Sequence, residues 1–315
     1  MSQFHWDITN KKVLVLGGNG LVGAALTRRL KAEHCEVFSA TRRDADLLDP
    51  TAVMSLLASV KPDAVILAAA KVGGILANRD NPVEFLETNL LIQLNSIRAA
   101  NAVDVGRFVF LGSSCIYPKY AEQPISEASL MTGPLEPTNE AYAIAKIVGI
   151  RLIDSYRAEY GRQWISVMPT NLYGPNDNFD LETSHVLPAL LRRFHEAKMA
   201  DAASVMIWGT GHARREFMHV DDCADAILFL LRHYNDAGPV NIGAGKDITI
   251  NELAQKVKAI TGFEGEIVHD FTKPDGTPAK LIDNTRLSQA GWHPKINLDD
   301  GLNSTYRWYV KSVEA

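Results

Sequence analysis

The sequence is poor in cysteine and lacks any paired arrangement of metal ligands. Its 315 residues include three cysteines, Cys35, Cys115 and Cys223. Because this number is odd and no two of them form a C-x-x-C pair, the pattern argues against a disulfide framework and against a structural zinc site. We therefore expect reduced thiols and no bound metal.

Long apolar runs and an excess of positive charge are also lacking. No stretch offers the roughly 18 uninterrupted apolar residues that a membrane-spanning helix needs, and the first residues lack the basic and apolar segments of a signal peptide. The formal net charge of -5 gives no general attraction for nucleic acid or for an anionic membrane. We expect a cytoplasmic protein without nucleic-acid or membrane partners, in which an anionic ligand meets a local basic pocket.

The first half of the chain shows a regular alternation of strand-like and helix-like segments. Predicted strands cover residues 12–16, 35–40, 64–69, 108–111 and 164–168, and predicted helices cover residues 21–31, 51–60, 82–102 and 140–160. Strands that alternate with helices imply a parallel sheet covered on both faces. The sequence therefore predicts an α/β fold with a Rossmann-like, doubly wound parallel sheet.

The alternation weakens after Pro169. An amphipathic stretch at 187–198 and short strand-like pieces at 205–208, 240–242 and 266–268 follow. We expect residues 1–170 to form the Rossmann domain and residues 171–315 to form mainly a smaller α/β substrate-binding lobe. Part of 220–245 is expected to return to the first domain.

A glycine-rich segment lies between the first predicted strand and the first predicted helix. Glycine lets the backbone turn sharply and approach a pyrophosphate, whose charge is met by the helix N-terminus. Such a match is weak alone, and its place between strand and helix is the context that supports it against a simple turn. We predict dinucleotide contacts from the whole loop, which comprises Gly17, Gly18, Asn19, Gly20, Leu21, Val22 and Gly23.

The end of the second predicted strand indicates which dinucleotide binds. An acidic residue there would bind the ribose 2′-hydroxyl of NAD, whereas a cation accommodates the 2′-phosphate of NADP. The chain has Thr41-Arg42-Arg43 at this point. An arginine pair is also common on a solvated surface, but the acidic partner is missing, so we predict that residues 1–170 bind NADP and that the protein prefers NADPH.

Tyr142 and Lys146 lie four residues apart in a predicted helix and therefore share one face. A neighbouring cation lowers the pKa of a tyrosine, ordinarily near about 10, and such a tyrosine can protonate a carbonyl oxygen. The spacing is common on ordinary helices, so the assignment depends on Ser113, which follows the fourth predicted strand. A hydroxyl there can polarise a substrate carbonyl, or it can simply cap a turn.

Several blocks around these residues resemble the extended short-chain dehydrogenase/reductase family. The blocks are Ala68-Ala-Ala-Lys-Val-Gly-Gly74, Gly112-Ser-Ser-Cys-Ile-Tyr-Pro118, Glu136-Pro-Thr-Asn-Glu-Ala-Tyr-Ala-Ile-Ala-Lys146, Met168-Pro-Thr-Asn-Leu-Tyr-Gly-Pro175, Ser184-His-Val-Leu-Pro188 and Arg215-Glu-Phe-Met-His-Val-Asp-Asp222. They are similar to blocks of family members that act on a GDP-sugar. The resemblance implies epimerisation at C3 and C5 of GDP-4-keto-6-deoxy-D-mannose, followed by NADPH-dependent reduction at C4 to GDP-L-fucose.

The same resemblance implies a second pair of catalytic residues. Epimerisation beside a ketone needs one group that removes a proton and one that returns a proton on the other face. The family pattern gives Cys115 as the base and His185 as the acid. Without the resemblance, Cys115 would more often be a small buried apolar residue. A thiolate at Cys115 would need a nearby cation, which protonated histidine or Lys146 could supply.

The substrate diphosphate and the cofactor need further contacts. Arg193, Arg215 and Lys280 are candidate cations for the diphosphate, the first two at family positions. Trp208 and Asp275 match family substrate contacts, although core packing and a loop carboxylate remain alternatives. The other predicted cofactor contacts are Asp46, Leu47, Leu111, Gly112, Ser114, Lys146, Pro169, Asn171, Leu172 and His185. Some family members carry an arginine where this chain has Asn19, which leaves NADPH selectivity to Arg42 and Arg43.

Other functions remain open at this point. A nucleotide-sugar 4-epimerase, or a C4 reductase of another GDP-deoxyketosugar, would share the glycine loop and the Ser, Tyr and Lys set. A 3-deoxy ketosugar could be epimerised only at C5. A dinucleotide-sensing protein on the same fold is the non-enzymatic alternative. The resemblance also implies a homodimer formed through the helices at 82–102 and 140–160.

Overall fold

The computed structural model describes residues 4–273 and 275–314. Its strands are β1 (Lys12–Leu16), β2 (Glu36–Ala40), β3 (Ala64–Leu67), β4 (Arg107–Leu111), β5 (Ile165–Pro169), β6 (Asn171–Tyr173), β7 (Ser204–Trp208), β8 (Arg214–His219), β9 (Pro239–Ile242), β10 (Asp247–Thr249), β11 (Glu266–Asp270) and β12 (Ala279–Lys280). Its α-helices are α1 (Leu21–Leu30), α2 (Pro50–Val60), α3 (Ile75–Asp80), α4 (Pro82–Ala102), α5 (Glu140–Tyr160), α6 (Val186–Met199), α7 (Val220–His233), α8 (Ile250–Thr261), α9 (Thr285–Gln289) and α10 (Leu298–Glu314). Short 3₁₀ segments cover Ser114–Ile116, Glu127–Ser129 and Pro137–Asn139.

The main sheet is a six-stranded parallel sheet in the order β2-β1-β3-β4-β5-β9. Every residue of β3, β4 and β5 is buried, because helices cover both faces of the sheet. The chain adds β2 on one side of β1 and then crosses to add β3 on the other side. The order in which strands are added therefore reverses at β1. A crevice at the carboxyl ends of the strands is where doubly wound sheets bind ligands.

Alternate side chains of a strand point to opposite faces of the sheet and belong to two different hydrophobic cores. Val13 and Val15 pack with α1 and α7, whereas Leu14 and Leu16 pack with α2, α4 and α5. Local signals begin and end these helices. Asp49 caps α2 by accepting from the amide of Thr51 at 2.8 Å, and α5 ends at Gly161 with φ of +67°.

The later part of the chain builds a second, smaller layer around β8. Strand β8 pairs with β6 and β12 in parallel and with β10 in antiparallel, and β7 pairs with β11. A third core joins α6, α8 and α10 through residues such as Phe194, Val257 and Leu302. Helix α8 begins with a capping box formed by Thr249 and Glu252.

The structure confirms the predicted α/β class and the parallel sheet. Most predicted elements are present with ends that differ by one or two residues; for example, the strand predicted at 64–69 ends at Leu67. Strand β9 pairs with β5 in the main sheet, and α7 packs against α1. The described part of the chain contains no helix long and apolar enough to cross a membrane.

Candidate active site

The glycine loop after β1 is built so tightly that side chains do not fit. Gly17 has φ of +91°, and a Cβ there would lie 2.7 Å from the amide nitrogen of Ala69. A Cβ on Gly23 would overlap the carbonyl oxygen of Gly17. Gly20 is the N-cap of α1 and provides no side-chain cap, so the first-turn amides face the loop without a competing side chain. This arrangement fits a pyrophosphate.

The end of β2 lies beside this loop. The amides of Gly17 and Gly18 donate to the carbonyl of Ala40 at 3.0 and 2.9 Å, so Arg42 and Arg43 follow directly from a point that the loop contacts. The Arg42 side chain is 79% exposed and pairs with Asp46 at 3.2 Å. Such an exposed pair contributes little to stability. Both arginine side chains are therefore accessible for a phosphate.

The remaining predicted cofactor contacts lie at the same edge of the sheet. Leu111 ends β4, and Gly112 and Ser114 follow it. Pro169 ends β5, and Asn171 and Leu172 lie in β6. Gly112 passes so close to Met168 that a Cβ would overlap its sulfur. The Asn171 amide donates to the carbonyl of Glu216 at 2.8 Å. Leu47 packs at the edge of the second core and its carbonyl accepts from Asn95 at 3.0 Å.

The structure brings Ser113, Tyr142 and Lys146 together where β4 ends. Ser113 is the N-cap of the Ser114–Ile116 segment, its hydroxyl accepts from the amide of Cys115 at 3.3 Å, and it is also hydrogen-bonded to Tyr142. The Lys146 ammonium donates to the carbonyl of Leu111 at 2.8 Å and lies 5.8 Å from the centre of the Tyr142 ring. The predicted reductase set therefore shares one pocket.

Burial dominates the acid–base properties of this set. It raises the pKa of Tyr142, the negative charge of Cys115 adds to the rise, and the hydrogen bond with Ser113 opposes it. Burial also lowers the pKa of Lys146 to about 8. The expectation of a lowered tyrosine pKa is thus wrong, because the Lys146 ammonium is directed at Leu111 and burial sets the direction of the shift. Tyr142 stays protonated at neutral pH, which is the form that can donate a proton.

Cys115 lies two residues beyond Ser113, in the Ser114–Ile116 segment. Its Sγ accepts from the Asn139 side-chain amide at 3.4 Å and from the Lys280 ammonium at 3.7 Å. The cation that contacts the sulfur is therefore Lys280, whereas Lys146, which the sequence suggested for this purpose, donates to Leu111.

His185 is the N-cap of α6, at the end of a loop that packs against the Gly73-Gly74 turn. The Gly74 amide donates to the carbonyl of Thr183 at 2.9 Å, and a Cβ on Gly74 would lie 2.7 Å from the carbonyl of Ser184. His185 as a residue is exposed, but the protein around its ring removes part of the water that would stabilise an imidazolium. This environment lowers the pKa of His185, and the charge of Lys280 lowers it further. Lys280 thus acts on both predicted epimerisation residues.

Two strands of the second layer place Arg215 next to Lys280. The parallel register of β8 and β12 pairs Arg215 with Lys280. The Arg215 guanidinium donates to the carbonyls of Arg214 at 2.7 Å and Asp275 at 3.3 Å. Burial lowers the pKa of Arg215, and the charge of Cys115 opposes this shift. Both cations therefore belong to the same cleft as the thiol.

The other predicted substrate contacts lie around the end of β7. The Arg193 guanidinium lies 5.4 Å from the Trp208 ring centre, and the Lys273 ammonium lies 5.6 Å from the same ring. The Asp275 carboxylate accepts from the amide of Thr210 at 2.8 Å and from its hydroxyl at 2.9 Å. Asp275 therefore stabilises the turn after Trp208. This contact matches the structural role of a loop carboxylate, which was the alternative to a substrate contact.

Comparison with known proteins identifies the family of this site. Residues 13–243 match the model of the NAD dependent epimerase/dehydratase family, a span that covers the whole main sheet. The chain belongs to the NAD dependent epimerase/dehydratase family. The resemblance to extended short-chain dehydrogenase/reductases is thereby confirmed.

Relatives within this epimerase/dehydratase family match over almost the whole chain. The chain is 54% identical to GDP-L-fucose synthase 1 of Arabidopsis thaliana, over 96% of this chain and 94% of the relative. It is 49% identical to GDP-L-fucose synthase of Escherichia coli strain K12, over 98% and 99%. A solved structure with bound NADP, the GDP-mannoheptose C4 reductase from Campylobacter jejuni, has a TM-score of 0.87 and 35% identity over 97% of this chain and 100% of that one.

The structure adds residues to this epimerase/dehydratase site that sequence reasoning did not single out. Asn139 contacts Cys115 from the Pro137–Asn139 segment that precedes α5, and Asn78 of α3 donates to the carbonyls of Gly73 and Gly74 at 2.7 and 3.0 Å. An asparagine three residues before Tyr142 was the available signal for Asn139. The six residues of α3 are too few for a periodic pattern. Within the described ranges, no group of three or more His, Cys, Asp or Glu side chains could hold a metal ion.

Proposed function

We propose that this protein is a bifunctional 3,5-epimerase and NADPH-dependent 4-reductase that converts GDP-4-keto-6-deoxy-D-mannose to GDP-L-fucose. The observation that carries the proposal is the proximity of two sets of residues. Ser113, Tyr142 and Lys146 suit carbonyl reduction, and Cys115 lies against them with its sulfur held by Lys280. The names and the identity of the fucose synthase relatives support the same assignment.

The glycine loop and its surroundings suit NADPH. The first-turn amides of α1 would hold the pyrophosphate, Arg42 and Arg43 would hold the 2′-phosphate, and Lys146 would reach the nicotinamide ribose. When bound, NADPH supplies the two electrons and the hydrogen that reduce the C4 ketone. The glycines fix how closely the backbone can approach it, because Gly17 and Gly23 leave no room for a Cβ.

Epimerisation follows from the acidity that the C4 ketone gives its neighbours. The Cys115 thiolate takes the proton from C3 or C5 and becomes a thiol, leaving an enolate whose oxygen faces the Ser113 and Tyr142 hydroxyls. His185 in its protonated form then gives a proton to the opposite face of the same carbon and becomes neutral. Two residues on different elements thus allow the configuration to invert.

Reduction at C4 uses the same hydroxyls. Tyr142 gives its proton to the C4 oxygen as the carbon is reduced, and Ser113 holds that oxygen by a hydrogen bond. Lys146 is positioned between the carbonyl of Leu111 and the Tyr142 ring, where its charge stabilises the phenolate that remains. We assign the GDP diphosphate to Arg193 and Arg215, with Trp208 as an aromatic surface and Asp275 as a contact for sugar or base hydroxyls and amines.

Incubation in deuterium oxide tests the bifunctional assignment. With GDP-4-keto-6-deoxymannose and no NADPH, we expect deuterium at both C3 and C5, detected by NMR and mass spectrometry. Addition of NADPH should then yield GDP-L-fucose. Reduction without label at either carbon would instead identify a C4 reductase, like the Campylobacter jejuni relative, and label at C5 alone would favour a 3-deoxy ketosugar as the natural substrate.

We also propose a homodimer formed by α4 and α5. These helices pack against each other, and their outer surfaces expose Leu91, Leu94, Ile144 and Val148 at 39–45%. Apolar side chains gathered on one surface favour a protein contact. Light scattering should give twice the 34.6 kDa chain mass, and Ile144→Lys should give the single chain. Cytoplasmic residence stays a prediction that cell fractionation can test.

A further inference from the structure

One ammonium group acts on both residues assigned to proton exchange. Lys280 Nζ is 3.7 Å from Cys115 Sγ, and its charge also acts on His185. Its backbone is clamped on both sides of β12, because the Arg214 amide donates to the carbonyl of Pro278 at 2.8 Å and the Ile125 amide donates to the carbonyl of Leu281 at 2.7 Å. The position of Lys280 is therefore set by the fold.

We infer that Lys280 is a positioning residue for epimerisation, whose ammonium holds Cys115 in the thiolate form and directs the sulfur into the cleft. The inference rests on the proposed function and gives Lys280 a different task from the diphosphate contact expected of it as a candidate cation. Asn139 supplies the second donor to the sulfur, at 3.4 Å. An ammonium and an amide together provide the donors that a thiolate needs in place of water.

The charged groups around the sulfur favour this role. Arg215 faces Cys115 from β8, Lys280 from β12 and Tyr142 from α5. Asp275 and Glu136 are the carboxylates that act on Arg215, and Lys119 pairs with Glu136 at 2.9 Å. In the part of the chain that the structure describes, no carboxylate lies within ion-pair distance of Lys280. Its positive charge is thus left for the thiolate.

The same charge has an opposite effect on the acid. A cation near His185 disfavours imidazolium, so a protonated His185 gives up its proton more readily. One ammonium therefore acts on both partners of the exchange: it favours the charged form of the base and disfavours the charged form of the acid. A diphosphate contact would not require Lys280 to touch Cys115.

The first experiment measures the thiol without substrate. Cys223 is fully buried, so once Cys35 is replaced by serine, iodoacetamide reacts with Cys115. The further substitution Cys115→Ser gives the background rate. We expect Lys280→Gln to slow alkylation about tenfold at neutral pH and to move its pH midpoint upward, while Lys280→Arg restores most of the rate. Lys256→Gln is the matched control, because this exposed lysine pairs with Asp299 on the surface. Circular dichroism confirms that each variant folds.

The second experiment separates the two tasks of Lys280. If Lys280 acts through Cys115, Lys280→Gln lowers deuterium incorporation at C3 and C5 about tenfold and leaves the calorimetric Kd for GDP within about twofold. Unchanged alkylation together with weakened GDP binding would overturn the inference in favour of a phosphate contact. Failure of the wild type to incorporate deuterium, with the alkylation difference intact, would instead reject the proposed function.

Discussion

The two ends of the cleft are held in different ways. At the cofactor end, backbone packs against backbone: Gly17 fits against Ala69, Gly23 against Gly17, and Lys146 donates to a strand carbonyl at 2.8 Å. At the sugar end, side chains from separate loops and short strands make longer contacts, such as 3.7 Å between Lys280 and Cys115.

The sugar end also contains polar atoms that the protein leaves without partners. Asn78 Oδ1, Asn139 Oδ1 and Ser184 Oγ are buried and have no hydrogen-bond partner within the described residues. Buried polar groups are ordinarily paired, so such a group commonly marks a position where another molecule supplies the partner. The cofactor end is thus fixed by packing, whereas the sugar end keeps polar groups that a ligand could pair.

Loss of the Tyr142 hydroxyl should have the largest effect, and that effect should fall mainly on reduction. We expect Tyr142→Phe to lower the rate of C4 reduction by about 10³-fold, because the variant retains the ring but has no proton to give. Deuterium incorporation at C3 and C5 should fall far less. Single-turnover NADPH oxidation and NMR of the labelled sugar measure the two steps. Equal losses in both would show that the two ends are not separable.

Cys115→Ser should have the converse effect. Serine is a much weaker acid than cysteine and forms almost no alkoxide at neutral pH, so we expect deuterium incorporation at C3 and C5 to fall about 10²-fold. Reduction of a sugar that has already been epimerised should proceed near the wild-type rate. Normal deuterium incorporation in this variant would show that Cys115 is not the base for epimerisation.

The same difference explains what the sequence could predict. The cofactor end uses local patterns: the glycine loop spans residues 17–23, and Tyr142 and Lys146 are one helical turn apart. The sugar end joins Cys115 to Lys280 across 165 residues, and no spacing rule connects them. Cys115 was found by resemblance and Lys280 as a candidate cation for the diphosphate, whereas the contact between them was found by the structure.

The missed elements have identifiable physical causes. Strand β8 begins Arg-Arg-Glu and has no apolar alternation at its start, although its central position buries Glu216. Burial of a charged residue follows from tertiary contacts, here the amides of Gly245 and Ile282, which donate to Glu216 at 2.7 and 3.2 Å. Helix α8 did carry a local signal, the capping box of Thr249 and Glu252.

Removal of the arginines after β2 tests the cofactor end and should have a smaller effect on activity. We expect the double variant Arg42→Gln and Arg43→Gln to raise KM for NADPH about tenfold and to leave KM for NADH unchanged, because charge-assisted contacts to the 2′-phosphate are lost. Arg28→Gln is a matched control, since this arginine pairs with Asp221 at the far end of α1. A wild type that prefers NADH would refute the cofactor assignment.

Two partly buried carboxylates should give the smallest effect and opposite pH dependences. Burial by itself would raise the pKa of Asp225. Its hydrogen bonds with Arg29, Lys295 and Trp292 have the larger, opposite effect, and they lower the pKa to about 2. Burial raises the pKa of Asp177, beside the sugar-binding layer, to about 7. Its Oδ2 is buried and has no partner within the described residues.

The signs follow from which state binds more protons. Folded Asp177 holds its proton between about pH 4 and 7, where the unfolded chain has lost it, so its contribution to stability disappears as pH rises through about 7. Asp225 behaves oppositely, and its contribution disappears as pH falls from about 4 to about 2. We therefore expect Asp177→Asn to raise Tm relative to wild type by about 4 °C more at pH 8 than at pH 5, measured by calorimetry. A Tm difference that does not change with pH would show that Asp177 is charged in the folded protein at both values.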